Sequence, residues 1–148
     1  MLLQDRMEEK DCRVVIVGQN VCREYLEKQG KGNLFHTPVE NINELYQDTR
    51  VFVHVSRAEG LSYALLEAIY AGIPVICSDI PENRFAREFR NVFFVENGNW
   101  QAIAREMDRL CRWDGRVEPA DTAYNRERME EDYTLRAWCN KLMKLYLE

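Results

Sequence analysis

The chain has 148 residues, 46% hydrophobic and 30% charged, enough to bury a core in one ordinary domain and typical of a globular protein. Its net charge of -5 and lack of a basic stretch argue against nucleic acid or an anionic membrane as the main partner. No apolar run reaches the roughly 18–20 residues of a membrane helix, and the acidic Asp5, Glu8 and Glu9 do not suit a signal peptide. The five cysteines, Cys12, Cys22, Cys77, Cys111 and Cys139, are odd in number and never spaced C-x-x-C. They read as small core residues in a reducing, cytoplasmic compartment, without a disulfide framework or a zinc site.

In chain order, residues 13–17 form a β-branched run and predict a buried strand ending at Gly18. Residues 22–29 predict a short helix stopped by Gly30 and Gly32, and residues 33–36 a brief strand ended by Pro38. Asn41 caps a helix over 42–47. A second β-branched strand covers 51–55. Gly60 opens a strongly apolar helix running to Ala71, with Gly72 at a left-handed C-cap position and Pro74 beyond it. Residues 74–77 read as a buried strand, 82–90 as a helix and 92–95 as the last strand. Asn99 caps a helix over 100–112, residues 113–121 read as a loop, and two helices follow over 123–131 and 134–147. The final helix places Leu135, Trp138, Leu142 and Tyr146 on one apolar face, which packs either on this sheet or against another domain. Short buried strands alternating with helices predict an α/β fold, a Rossmann-like three-layer sandwich with a parallel sheet covered on both faces.

In such a sheet ligands bind beyond the carboxyl ends of the strands. The strand over 51–55 leads into Ser56-Arg57-Ala58-Glu59-Gly60. Gly60 permits close backbone approach, and the helix after it directs free N–H groups and the positive end of its dipole to the same place, an anion site suited to a diphosphate. Glu67 lies within L-S-Y-A-L-L-E-A-I-Y-A, a helix apolar almost all round. That predicts a buried carboxylate, which needs a partner: a pair of sugar or ribose hydroxyls, or a loop N–H or an arginine such as Arg57 or Arg84. Glu59 and Glu67 together could bracket one elongated polar ligand.

Residues 51–79, VFVHVSRAEGLSYALLEAIYAGIPVICSD, resemble the donor-binding core of the retaining GT-B glycosyltransferases of family 4, the group 1 glycosyltransferases. Glu59 and Glu67 match their E-x7-E signature. The L-L-E-A run, the A-G-I-P-V turn and the S-D-I-P-E-N-R loop extend the resemblance, and with the flanking strands and helices it covers about residues 11–148. It implies one half of a GT-B fold. It also implies transfer of a sugar from a nucleotide diphosphate sugar to an acceptor hydroxyl with anomeric retention, as in polysaccharide biosynthesis. In the family the residue matching Glu67 binds the ribose hydroxyls, and the residue matching Glu59 lies by the donor sugar and acts in catalysis. Backbone at Gly60, Leu61 and Ser62 approaches the diphosphate or sugar, and Thr37, Pro38 and Val39 lie beside the base. Gly18, Arg57, Tyr63 and Arg84 are further candidates for donor contact, each with a plain reading as a strand end, a solvated charge or a packing residue. His54 reads as a packed strand histidine in preference to a donor contact. No metal or cofactor is expected.

The family's donor domain opens with a strand and a Gly-rich turn carrying a basic pair. Residues 1–10 read instead as the helix that follows, so the first strand of the domain is expected to be missing. The acceptor domain is absent as well. We therefore expect a fragment of a longer two-domain enzyme, a single donor-binding domain over 1–148 that does not transfer sugar alone. Its expected partners are the nucleotide-sugar, the N-terminal acceptor domain and a second copy of the chain; at the vacant strand position either the strands at 13–17 and 51–55 pair directly or another chain fills the gap. The parent enzyme would be cytoplasmic or peripheral at the inner membrane. The alternatives are a degenerate, non-catalytic nucleotide- or protein-binding module of the same fold and, less in keeping with the sequence, an epimerase or phosphorylase relative.

Overall fold

The structure, a computed structural model, describes residues 14–17, 28, 34–37, 41–113 and 117–147. The chain falls into two units, Met1–Asp48 and Thr49–Glu148. In the first, β1 (Val14–Val17) and β2 (Leu34–Thr37) pair in parallel, Val14 opposite Leu34 and Val17 opposite Thr37. The expected helix over 22–29 lies outside the described residues except at Lys28, which is helical. Helix α1 (Ile42–Gln47) has the expected bounds because its start is fixed locally: Asn41 is extended and its side chain accepts from the Asn43 N–H.

The second unit is built on a three-stranded parallel sheet in the order β3 (Phe52–His54), β4 (Val75–Ser78), β5 (Val92–Val95). Among the strands whose burial is described, full burial holds only for β4, whose four residues are all buried. Val53 of β3 is exposed, and Val15 and Val17 of β1 alternate with half-buried neighbours. The expectation of uniformly buried strands is corrected accordingly: β-branched runs mark strands, but only the central position of a sheet covers both faces.

β4 divides two clusters by its pleat. Val75 and Cys77 pack with Leu65, Leu66, Ala68 and Ile69 of helix α2 (Tyr63–Ala71) and with Met129 of α4 (Pro119–Asp132). Ile76 packs on the other face with Ile103 and Leu110 of α3 (Trp100–Arg112). The unit is thus the expected α/β sandwich of three layers. Burial, helped by the neighbouring Asp79, pushes the Cys77 thiol up to about 12, so it behaves as a small apolar core residue.

Several element boundaries differ from the sequence reading: β2 and β4 each lie one residue further on, at 34–37 and 75–78, and β3 is shortened to 52–54. Residues 82–90, expected to be helical, form a 3-10 helix with the bounds Pro81–Glu88. Helix α4 begins at Pro119, inside the stretch expected to be a loop, because proline at the first helical position forfeits only an N–H that has no partner there. Helix α2 begins at Tyr63, with Ser62 as its cap. The last helix, α5 (Leu135–Leu147), buries Ala137 and leaves Leu135, Trp138 and Tyr146 exposed.

Polar contacts fasten α4 to the sheet layer. Asn125, fully enclosed, accepts from the Arg90 N–H at 2.8 Å and donates to the Arg90 carbonyl at 3.0 Å. Arg128 donates to Glu88 of the 3-10 helix at 2.7 Å and to Asp132 at 2.9 Å, and Tyr133 also donates to Glu88. Desolvation and the Glu88 carboxylate hold the Tyr133 phenol well above its usual range.

Gly72 ends α2 in the left-handed conformation, φ 79°, as expected. A Cβ there would lie 2.6 Å from Thr122 Oγ1 and 3.0 Å from its Cγ2, so backbone and packing both require glycine. Gly72→Ala is expected to cost about 1–3 kcal/mol in urea unfolding. Adding Thr122→Ala should recover the steric share and leave the backbone share. A single variant as stable as the parent chain would refute this.

Candidate functional site

The three strands of the second unit run parallel, so their carboxyl ends share one side of the sheet. β3 is followed there by the loop over residues 55–61 and the start of α2, and β4 by Asp79. Ser62 buries its hydroxyl as the helix cap, accepting from the Leu65 N–H at 3.4 Å, while its carbonyl accepts from the Leu66 N–H at 3.2 Å. The first-turn amides of Tyr63 and Ala64 lie ahead of these, at the positive end of the helix. Gly60 and Leu61 are both exposed and precede the cap. They belong to the loop, whereas the sequence reading placed Leu61 within the helix.

Glu59 is held at this edge. Its Oε1 accepts from Ser56 Oγ at 2.5 Å and lies 3.5 Å from His54 Nε2. His54 is largely buried, with a side-chain exposure of 12% against 28% for Glu59, and stacks on Phe52. Its pKa is lowered from 6.5 by desolvation, with the Glu59 carboxylate opposing part of that shift. The histidine is therefore packed, as expected, and also adjoins the candidate catalytic carboxylate, a contact that the five-residue separation does not reveal.

Ser56 is itself fixed. Its N–H donates to Ser78 Oγ at 3.0 Å, and Ser78 Oγ donates to the Ser56 carbonyl at 2.9 Å. Asn83, fully buried, donates from Nδ2 to the Ser78 carbonyl at 3.0 Å. Ser56, Ser78 and Asn83 were not singled out from the sequence. The S-x-x-E spacing of Ser56 and Glu59, and a serine closing the apolar run V-I-C-S, are the local signals that could have drawn attention to two of them.

Glu67 corrects an expectation. It is exposed, on a side of α2 shared with Tyr63, Ala64 and Tyr70. The helix is one-sided, with Leu65, Leu66, Ala68 and Ile69 inward, and its exposed aromatic and alanine residues mimic a buried composition. The cost of burying a charge therefore gives no reason for Glu67. Its position, one turn beyond the exposed Tyr63 near the helix start, does place it on a surface that a ligand can reach.

Arg84 lies 3.7 Å from Asp79, and Arg87 is bonded to the same carboxylate at 2.8 Å. Arg84 is thus engaged at the end of β4, and Arg57 is exposed in the loop. Thr37 ends β2. Gly18, Pro38 and Val39 lie outside the described residues. Among the described residues no group of three or more His, Cys, Asp or Glu could hold a metal ion, and no helix is long and apolar enough to cross a membrane.

A parallel sheet between helical layers, with polar groups gathered at the strand ends and a helix start, defines a Rossmann-like domain. Residues 2–112 match the family described as Glycosyl transferases group 1, and the chain belongs to that family. It is 30% identical over 92 residues to the UDP-N-acetylglucosamine--peptide N-acetylglucosaminyltransferase GtfA subunit of Streptococcus agalactiae, which covers 62% of this chain and 15% of the relative. It is 40% identical over 47 residues to O-antigen chain mannosyltransferase B of Escherichia coli, covering 32% of this chain and 12% of the relative. Among solved structures, TarM superposes with a TM-score of 0.78 at 21% identity, covering 99% of this chain and 31% of TarM. The pneumococcal O-GlcNAc transferase GtfA, in complex with UDP and GlcNAc, gives 0.68 at 19% identity, covering 99% of this chain and 32% of that protein. The fold is accordingly that of a GT-B glycosyltransferase domain. The chain spans under a sixth of the curated relatives' length and about a third of the solved structures.

The depressed His54 pKa makes a prediction with a defined sign. The folded state holds the imidazole neutral, so the unfolded chain, titrating near 6.5, binds more protons below that value. Stability is therefore full above pH 6.5 and is lost as pH falls toward the folded pKa. The urea midpoint should decline between about pH 7 and about pH 5. His54→Gln should flatten the decline, and Glu59→Gln, which removes the anion that holds the value up, should steepen it. Asp121 and Asp132 are lowered from 3.8 by hydrogen bonds to Arg90 and Lys141 respectively, so they act in a separate, more acidic range. Identical pH profiles for all three proteins would contradict the assignment.

Proposed function

We propose that this chain is the nucleotide-sugar-binding part of a retaining glycosyltransferase, with Glu59 beside the donor sugar and Glu67 on the ribose. The observation that carries the reading is the fixed Glu59 carboxylate in the loop between β3 and the positive start of α2, with Glu67 exposed one turn into that helix. The E-x7-E spacing adds support, as do relatives whose names include UDP-N-acetylglucosamine and UDP.

In the proposed reaction the bond between the anomeric carbon and the diphosphate oxygen breaks, its electron pair leaving with the diphosphate. An acceptor hydroxyl oxygen bonds to the same face of that carbon, and its proton passes to the departing phosphate. Positive charge grows on the sugar and negative charge on the leaving group. A carboxylate at Glu59 stabilises the first by its field. First-turn amides of α2 and the helix dipole stabilise the second. Two ribose hydroxyls can both donate to the acceptor-only carboxylate of Glu67, fixing the nucleotide at the distance the helix sets. The rest of the cleft, the acceptor and the acceptor domain belong to the longer enzyme proposed as the parent.

Calorimetric titration of UDP and GDP against the chain tests the reading. One of the two should bind, and Glu67→Ala should weaken it by about tenfold or more, the loss of one or two charge-assisted hydrogen bonds. Unchanged affinity in Glu67→Ala would remove the ribose role. Failure of both nucleotides to bind would remove the donor-site reading.

A further inference from the structure

The loop that carries Glu59 leaves the sheet at a defined point. Pairing between β3 and β4 ends at His54 opposite Cys77, so the N–H and carbonyl of Ser56 lie beyond the last rung. Both groups are nevertheless bonded, and to one atom: Ser78 Oγ accepts from the first and donates to the second. A side-chain hydroxyl replaces the missing strand partner. Ser78 is fully buried at the end of an otherwise apolar strand, where an unpaired hydroxyl would be costly. Asn83 reaches its carbonyl at 3.0 Å and approaches its hydroxyl at 3.5 Å. The next four residues on the loop side behave differently: Arg57, Ala58 and Gly60 are exposed, and Glu59 turns back to meet Ser56 Oγ.

We propose that Ser78 is a positioning residue for Glu59: it fixes the Ser56 backbone, and Ser56 Oγ then holds the Glu59 carboxylate against His54. The catalytic meaning of this arrangement rests on the function proposed above, whereas the positioning itself does not. The same three groups could serve only to close the loop. In that case Ser78 would influence stability, but not the distance between Glu59 and His54.

The imidazole of His54 provides the readout, because the nearby carboxylate holds its protonated form in partial balance against burial. Its titration can be followed by NMR in the intact chain, with each variant first shown to be folded from its amide spectrum. Glu59→Gln should shift the His54 pKa downward. Ser78→Ala should shift it in the same direction, and should cause no further shift when Glu59→Gln is already present. Ser78→Thr, which keeps the hydroxyl, should restore it toward the parent value. Ser56→Ala, at a half-buried loop position, removes only the last link and serves as the second test if Ser78→Ala does not fold. It should also shift His54 downward.

A folded Ser78→Ala or Ser56→Ala with an unshifted His54 overturns the proposal. So does a Ser78→Ala shift of equal size in the Glu59→Gln background, since it would then reach His54 by a route other than Glu59. These measurements need no nucleotide. If the shifts occur and neither UDP nor GDP binds, Ser78 still positions Glu59 and the donor reading alone falls.

Discussion

One strand that is buried along its whole length and ends in a hydroxyl organises the second unit. β4 has an edge strand on each side and helices on each face, so its pleat sends Val75 and Cys77 into one cluster and Ile76 into the other. A charged side chain anywhere along it would enter a packed apolar layer without solvent. The last position, Ser78, meets a different requirement. The chain beyond β3 has left the ladder with its backbone groups still partly buried, and a small hydroxyl can satisfy a donor and an acceptor at once. The same strand therefore sets the core and the geometry of the loop at its carboxyl end.

That dual role links stability to the candidate site. Helix α2 packs Leu65, Leu66, Ala68 and Ile69 against β4, which fixes the helix axis and hence where its first turn lies. Its other end is fixed by the left-handed Gly72 against Thr122 of α4, and α4 is tied to the sheet layer through Asn125 and Arg90 and to the 3-10 helix through Arg128 and Glu88. The start of α2 is thus located by contacts at its far end as well as by Ser62. The proposed site, which would hold a nucleotide-sugar in one orientation, would benefit from such a scaffold, because misplacement by even an ångström weakens catalysis.

Legibility in the sequence followed the range of the interaction that fixes each feature. Helices α1 and α3 and strand β5 have their expected bounds because Asn41 and Asn99 cap locally and V-F-F-V is a compact apolar run. Gly72 was readable because a glycine followed closely by proline after an apolar helix has one common meaning. Pro119 was misread because proline serves loops and helix starts equally. The exposure of Glu67 was hidden by the composition of α2 and the loop residue taken into it: Tyr63 and Tyr70 are apolar in character yet 72% and 41% exposed, and Leu61, ahead of the helix, is 49% exposed, so counting apolar residues overstated burial. Ser78 and Ser56 stand 22 residues apart, and only the parallel register of β3 and β4 brings them together. Neighbouring residues alone could not have paired them.

The carboxylates that follow β3 and β4 are placed in opposite electrical settings. Asp79, after β4, is bonded to Arg87 and approached by Arg84, so its charge is largely compensated and it serves the surface of the 3-10 helix. Glu59, after β3, meets a serine hydroxyl and an imidazole that burial keeps neutral near pH 7. A hydroxyl and a neutral ring orient a carboxylate without cancelling its charge, whereas an arginine would do both. If a group is to stabilise positive charge developing on a sugar, it must be fixed in place and left uncompensated before the substrate arrives. Of the two, only Glu59 meets both conditions, and it does so because His54 is sheltered within β3 while Ser56 is anchored from β4.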